Sequence, residues 1–179
     1  RAEDGDAALA LLLVGGNPRI SPVDVPGVLH LPLRSAPPFR LLHAKVALLG
    51  FQEVRPPHGW RLRLVVSTGN WTRQTLEESL DLGWRVEVTS ADLESGRDDA
   101  VGAAAADIRA AWHMVSWLRK QADDGVLVAS SRSHDATKDV VSWIRKAAKA
   151  ADGRPRFVDN REASLLEQLP GRVPTGARN

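Results

Sequence analysis

The spacing of apolar residues along the chain predicts several short buried strands. The segments 42–49 and 61–66, with a shorter one at 84–88, are rich in apolar and β-branched residues and predict such strands. The segment 50–60 between the first two contains a Pro-Pro pair and two glycines, so a β-hairpin is the simplest interpretation. A further run at 8–14 is closed by turn-forming residues and predicts another strand.

Two longer segments carry apolar residues at helical spacing. Intervals of three and four predict amphipathic helices over 103–120 and 135–151, with a buried strand at 125–129 between them. This mixture of strands and helices indicates an α/β layered fold. The remaining segments are predicted to be an extended, proline-rich loop at 21–38, a loop at 90–102, a short strand at 156–158 and a short helix at 163–169.

Composition narrows the functional classes. The chain has 179 residues and a mass of 19.5 kDa, which fits one domain or slightly more. Its 24 basic and 22 acidic residues leave a net charge of +2, so a polyanionic partner is neither demanded nor excluded. The absence of cysteine excludes disulfides, thiolate zinc sites and cysteine nucleophiles.

The N-terminal segment gives no membrane or secretory signal. Its apolar run at 7–14 is too short to span a bilayer and follows acidic rather than basic residues. We therefore expect no membrane span and a cytoplasmic, intracellular location. Because the sequence begins at Arg1 without a methionine, we expect a processed product or a piece of a longer protein.

Three polar residues near the ends of the two hairpin strands form the candidate site. His43 and Lys45 are separated by one residue, so on a strand they would project from the same face, about 7 Å apart. Asn70 follows Gly69 just past the next strand. A neutral imidazole is a nucleophile or proton carrier, while an ammonium and an amide both bind anionic oxygen. This combination suits chemistry at a phosphoryl centre.

The same residues lie within a longer pattern. The runs LHAKVALL, RLRLVVSTGNWT and EESLDLGW resemble the first half of the phospholipase D superfamily, most closely the tyrosyl-DNA phosphodiesterases. The wider superfamily has an Asp five positions after the Lys, where this chain has Gly50. The phosphodiesterase branch lacks that Asp, so the difference favours this branch. The resemblance implies a mixed β-sheet flanked by helices, with a first half at 1–124 and an incomplete second half at 125–179.

The resemblance also implies a role for each site residue. His43 would attack phosphorus to form a phosphohistidine, and Lys45 and Asn70 would bind the non-bridging oxygens, with no metal or cofactor required. A carboxylate or amide about eleven residues after the Asn would support a histidine. Asp81 occupies that position here, with Glu77 and Glu78 as nearby alternatives. The residues expected to contact substrate are Ser67, Thr68, Trp71, which could stack on a base, and Arg73.

Only one H-x-K motif is present, whereas two build one active site in this superfamily. His134 and Lys138 are four residues apart near a helix start, so they do not reproduce the motif. The second motif would come from further sequence in cis or from another subunit in trans. The implied function is a metal-independent phosphodiesterase acting on nucleic-acid ends, with a DNA end as partner. The alternatives are a single-motif nuclease or phospholipase completed by a second subunit, and a non-catalytic nucleic-acid-binding subunit.

Overall fold

The structure is a computed structural model that describes residues 9–11, 28–31, 33–34, 38–39, 42–69, 77–78, 80–96, 98–123, 125 and 131–173. Within these residues the strands are β1 (Leu9–Leu11), β2 (Val28–His30), β3 (Val46–Gln52), β4 (Trp60–Ser67) and β5 (Gly83–Thr89). The helices are α1 (Ser90–Glu94), α2 (Asp99–Gln121), α3 (Ser131–Ala150) and α4 (Leu165–Gln168). No helix in these ranges is both long and apolar enough to cross a membrane.

The main sheet has three antiparallel strands in the order β3-β4-β5. Leu64 in the central strand pairs with Leu48 on one side and with Val86 on the other. The hairpin expected from the sequence is therefore confirmed, as is a third strand beside it. A separate pair is formed by β1 and β2, which run parallel. The protein is thus a mixed α/β structure, as the alternation of strands and helices predicts.

The central strand shows which face of the sheet is buried. Trp60, Leu62 and Leu64 alternate along β4 and are at most 8% exposed, because their side chains all point to the helical side. Arg63 points to the opposite face, where it forms an ion pair with Glu87 on the neighbouring strand. The sheet therefore has one apolar face under helices and one face that carries charged residues.

Helices α2 and α3 cover the apolar face of the sheet together. Asp98 caps α2 by accepting a hydrogen bond from the amide N–H of Ala100 at 2.7 Å, which is why the helix begins at Asp99. The indole of Trp143 from α3 stacks on that of Trp60, with centroids 6.0 Å apart and planes 6° from parallel. The buried helical residues of this cluster are Ala104, Ala105, Ile108, Ala111, Met114, Leu118, Trp143, Ile144 and Ala147.

Helix α3 approaches the sheet closely at Gly50 in β3. A Cβ atom at this position would lie 2.5 Å from Val140 Cγ2 and 3.1 Å from the ring of Trp143. Such distances are well inside van der Waals contact, so any side chain here would have to displace Val140 or Trp143. Gly50 therefore allows α3 to pack directly on the sheet at this point.

A fully buried carboxylate holds the segment that follows α3. Asp107 in α2 is 0% exposed and accepts hydrogen bonds from the backbone N–H groups of Arg156 and Phe157, the second at 2.8 Å. It also pairs with the guanidinium of Arg156 at 2.7 Å. These residues form an irregular segment, so the prediction of a strand at 156–158 is wrong. The backbone N–H groups bind a side chain instead of a neighbouring strand.

A second ion pair lies just beyond this segment. Arg161 donates to both carboxylate oxygens of Asp159, at 2.7 and 2.9 Å, and to the carbonyl oxygen of His113 in α2 at 3.2 Å. Burial raises the pKa of the Asp159 carboxyl, but the hydrogen bonds and positive charge of Arg161 outweigh this effect. The pKa of Asp159 therefore lies below its ordinary value.

Several expected boundaries need correction. The strand predicted at 42–49 begins only at Val46 and continues to Gln52, because β4 provides ladder partners over that range. The loop predicted at 90–102 contains α1 and the start of α2, and α1 is fixed by a capping box between Thr89 and Asp92. The proline-rich loop predicted at 21–38 contains the short strand β2.

The helix predicted at 135–151 is confirmed, but it begins earlier, at Ser131. The short helix predicted at 163–169 is observed as α4. The strand predicted at 125–129 lies, apart from Gly125, outside the described residues. The division of the chain into 1–124 and 125–179 stays a prediction, although α3 shares one hydrophobic cluster with the sheet and α2.

Candidate active site

The structure brings the side chains of His43 and Lys45 into contact. The ammonium nitrogen of Lys45 lies 2.8 Å from Nδ1 and 2.8 Å from Nε2 of His43, and it donates to the carbonyl oxygen of His43 at 3.1 Å. Both residues precede β3, in a stretch without regular secondary structure. The two groups therefore meet because the lysine side chain folds back toward the histidine, not because they alternate along a strand.

The position of the ammonium relative to the ring limits the kind of contact it makes. The lone pair or proton on each ring nitrogen of His43 points outward, away from the other nitrogen. A single group at the same distance from both nitrogens lies along neither direction. The contact is thus a close electrostatic approach between Lys45 and the ring, with the ammonium along the lone-pair direction of neither nitrogen.

The two side chains differ in exposure. His43 is exposed to solvent, whereas Lys45 is only 8% exposed. A buried ammonium is costly unless polar groups surround it, and here the ring and backbone oxygen of His43 supply two of them. The arrangement presents an accessible imidazole with a shielded positive charge directly beside it. An anionic oxygen bound next to the imidazole would be stabilised by this positive charge.

Backbone hydrogen bonds join this pair to the end of β4. The amide N–H of Ser67 donates to the carbonyl oxygen of Lys45 at 2.9 Å, which extends the β3–β4 ladder by one bond beyond Val46. The hydroxyl of Ser67 accepts from the amide N–H of Gly69 at 3.1 Å and closes a tight turn. Gly69 itself is buried. The turn that precedes Asn70 is thereby fixed directly beside the His43–Lys45 pair.

Thr68 closes the base of the loop between β4 and β5. Its hydroxyl donates to the carboxylate of Asp81 at 2.9 Å and accepts from the amide N–H of Leu82 at 3.0 Å. Its own amide N–H donates to the carbonyl oxygen of Leu82 at 3.0 Å. Asp81, expected to support a histidine, is therefore seen bonded to Thr68. The hydroxyls of Ser67 and Thr68 both have a local structural role in this turn, which the sequence reasoning missed.

For the other expected site residues, the described part of the structure shows no contact with the His43–Lys45 pair. Asn70, Trp71 and Arg73 lie outside the described residues. Glu78 is described and exposed. The contact between the imidazole and the ammonium is thus observed, while the expected participation of the amide stays a prediction.

The second histidine–lysine pair does not form a comparable site. His134 and Lys138 both lie in α3, and Lys138 pairs with Asp135 one turn away at 3.8 Å on the solvent side. The side chains of Lys138 and Asp135 are 64% and 70% exposed, so this is an ordinary surface ion pair. Within the described residues, His43 and Lys45 therefore have no counterpart.

Comparisons with known proteins add no relative. No family model matches the sequence, and the searches of curated proteins and of solved structures also find no match. The resemblance to the phospholipase D superfamily consequently depends on the quoted sequence runs alone. The functional argument below depends on the chemistry of the site.

Proposed function

We propose that the protein is a metal-independent phosphodiesterase that acts on nucleic-acid ends through a phosphohistidine at His43. The observation that supports this most is the contact between the exposed imidazole of His43 and the shielded ammonium of Lys45. The phospholipase D-like fold and the tyrosyl-DNA phosphodiesterase-like activity are part of the same proposal, and the sequence runs that resemble this family support them.

The chemistry follows from the two groups. A nitrogen lone pair of His43 attacks the phosphorus atom, the new P–N bond forms, and the P–O bond to the leaving group breaks. Negative charge that develops on the non-bridging oxygens is stabilised by the ammonium of Lys45, which needs no reorganisation because it is already in place. We assign the same function to the amide of Asn70. Water then cleaves the P–N bond and releases the phosphate product.

A complete cycle also requires an acid for the leaving group and a base for the attacking water. In the proposal these come from a second H-x-K motif, in cis or in trans, because this chain contains only one. The described residues include the candidate nucleophile, His43, and one cation, Lys45, for the developing negative charge. They supply neither the general acid nor the base.

The test is a single-turnover reaction that detects the covalent intermediate. The protein is mixed with a 3′-phosphotyrosyl oligonucleotide in the presence of a chelator, and a denaturation-resistant adduct is sought by gel electrophoresis. We expect an adduct that is labile in acid, as a phosphoramidate is, and that is lost in His43→Ala. The matched control is His58→Ala, because His58 is also exposed and its Nδ1 lies 3.1 Å from the backbone carbonyl oxygen of Glu53.

The outcomes separate the candidate functions. Adduct formation that requires a divalent metal would contradict the metal-free scheme. Binding of the oligonucleotide without adduct or product would favour the non-catalytic subunit. An adduct that appears only above a threshold protein concentration, in step with dimer formation measured by ultracentrifugation, would favour a site completed in trans.

A further inference from the structure

The face of the β3-β4-β5 sheet opposite the helices carries a regular array of side chains. Strand alternation assigns every second residue of each strand to this outer face, because Leu62 and Leu64 point to the helices. The ladder register groups the outer-face residues into four rows across the sheet. In order, the rows are Ser67 and Gly83; Ala47, Val65 and Arg85; Leu49, Arg63 and Glu87; and Phe51, Arg61 and Thr89.

Two contacts show that side chains of the outer face meet each other. The guanidinium carbon of Arg63 lies 5.3 Å from the centroid of the Phe51 ring, and the same guanidinium forms an ion pair with Glu87. Arg63 is therefore held from two sides, by an aromatic ring in one neighbouring strand and by a carboxylate in the other. Phe51 is still 45% exposed, so part of its ring is open to a ligand.

The charged residues in the four rows are mostly basic. They are three arginines and one carboxylate, Glu87, which is paired with Arg63. Arg61 and Arg85 are both exposed, and neither forms an ion pair within the part of the chain that the structure describes. These two arginines lie in the rows on either side of Arg63, so positive charge continues along the sheet.

One end of the outer face meets the candidate site. Ser67 in the first row donates its amide N–H to the carbonyl oxygen of Lys45, whose ammonium contacts the ring of His43. A Cβ atom at Gly83, in the same row, would meet nothing within 4 Å. Successive rows are two residues apart, so the four rows extend about 20 Å from this end. At about 3.4 Å per nucleotide along a strand, this length corresponds to about six nucleotides.

We propose that the outer face binds the single-stranded segment of a nucleic acid whose end is held at His43. Arg61 and Arg85 bind backbone phosphates, because the planar fork of a guanidinium matches phosphate oxygens. The exposed part of the Phe51 ring, which Arg63 holds in place, is a surface on which a base stacks. The identity of the ligand as a nucleic acid rests on the proposed function.

The test measures binding of a fluorescent single-stranded hexanucleotide by fluorescence anisotropy. Arg61→Gln and Arg85→Gln each remove one charge from the outer face. Arg145→Gln is the matched control, because Arg145 is also exposed but lies in α3, which covers the other face of the sheet. Each outer-face variant should reduce the steepness of log K against log salt by about 0.7, which at about 0.05 M salt is a loss of about eightfold in affinity. Arg145→Gln should change the affinity by less than about twofold, because salt screens distant charges.

Phe51→Ala tests the stacking contribution separately. It should weaken binding about fivefold or more at every salt concentration, because loss of base stacking releases no counterions. Leu166→Ala is its control, since Leu166 is 80% exposed but lies in α4. If thermal unfolding shows that Phe51→Ala is destabilised, Phe51→Leu replaces it, because leucine keeps an apolar side chain at this position.

Three results would overturn the proposal. The first is equal affinity of Arg61→Gln, Arg85→Gln and Arg145→Gln for the hexanucleotide. The second is a duplex of the same sequence that binds as tightly as the single strand, because paired bases cannot stack on Phe51. The third is a wild-type dimer in analytical ultracentrifugation that dissociates in Arg61→Gln, since the outer face would then be an interface between copies of this chain.

Adduct formation at His43 is measured on the same proteins, so this proposal and the proposed function can fail separately. If no adduct forms in any protein but Arg61→Gln and Arg85→Gln still lose affinity, the outer face stands and the phosphodiesterase proposal fails. If the wild type forms the adduct but these variants bind as Arg145→Gln does, the outer-face proposal fails alone. When both hold, Arg61→Gln should form the adduct more slowly at low oligonucleotide concentration and at the wild-type rate at saturation.

Discussion

Substitution of Gly50 by alanine should destabilise the fold, although alanine is usually the better residue in a strand. The added Cβ would lie 2.5 Å from Val140 Cγ2, against an optimum of about 3.5–4.0 Å for two carbon atoms. The side chains must therefore move apart by about 1 Å. Trp143 cannot yield easily, because it is stacked on Trp60.

The expected magnitude is the difference between two opposing effects. Overpacking of a well-packed core costs about 1–3 kcal/mol. Removal of a glycine from a strand contributes about 0.5–1 kcal/mol in the stabilising direction. The net loss in the free energy of unfolding should be about 1–2 kcal/mol, or about 4 °C in Tm for a chain of this size. Gly50→Asp should cost more, because it also buries a carboxylate.

Urea unfolding followed by tryptophan fluorescence measures this loss, and Gly83→Ala is the matched control. Gly83 begins β5, and a Cβ there meets nothing within 4 Å, so this variant should be neutral or slightly stabilised. Val140→Ala should offset part of the effect of Gly50→Ala, which a double-mutant cycle would detect. Equal stability of Gly50→Ala and Gly83→Ala would refute the packing argument.

Three other changes test separate contacts. Asp107→Ala leaves two backbone N–H groups and a guanidinium without their partner, so unfolding by urea should show a loss of about 3–5 kcal/mol. Thr68→Val removes the hydroxyl that closes the loop before β5, so single-turnover assays should show slower adduct formation at His43. The free energy of unfolding, measured by thermal unfolding, should fall by only about 1 kcal/mol. The pKa of Asp159 is lowered in the folded protein, so the ionised carboxylate stabilises the fold. This stabilisation is present above the ordinary pKa of an aspartate in the unfolded chain, about 3.9, and is lost as the pH falls through the lower pKa of the folded state. The stability difference between wild type and Arg161→Gln should therefore shrink below about pH 4 in urea titrations, and a difference that grows with acid would contradict this assignment.

Local patterns of apolar and polar residues predicted most of the fold. The segments rich in apolar and β-branched residues identified the hairpin and the third strand, and spacing by three and four identified α2 and α3, because burial on one face determines both patterns. The exact start of β3 depends on where β4 offers partners, which no local pattern shows. The irregular segment at 156–158 was mistaken for a strand because its binding partner, Asp107, lies about fifty residues away.

The candidate site was predictable only in part. The H-x-K spacing brings together two side chains that do meet, but the contact arises from the folded-back side chain of Lys45 and not from strand alternation. The bond between Thr68 and Asp81 links residues on two sides of a loop, so spacing alone gave no signal for it.

The shared hydrophobic cluster has a practical consequence for any attempt to divide the protein. A chain cut after residue 124 would lose Trp143, Ile144 and Ala147, which cover the sheet from above. The indole of Trp60 and its apolar neighbours would then form an exposed hydrophobic patch that promotes aggregation. Loss of activity in such a fragment would therefore be caused by misfolding and would not show that a catalytic group is missing. Gene fusions and complementation experiments should therefore keep α3 with the sheet.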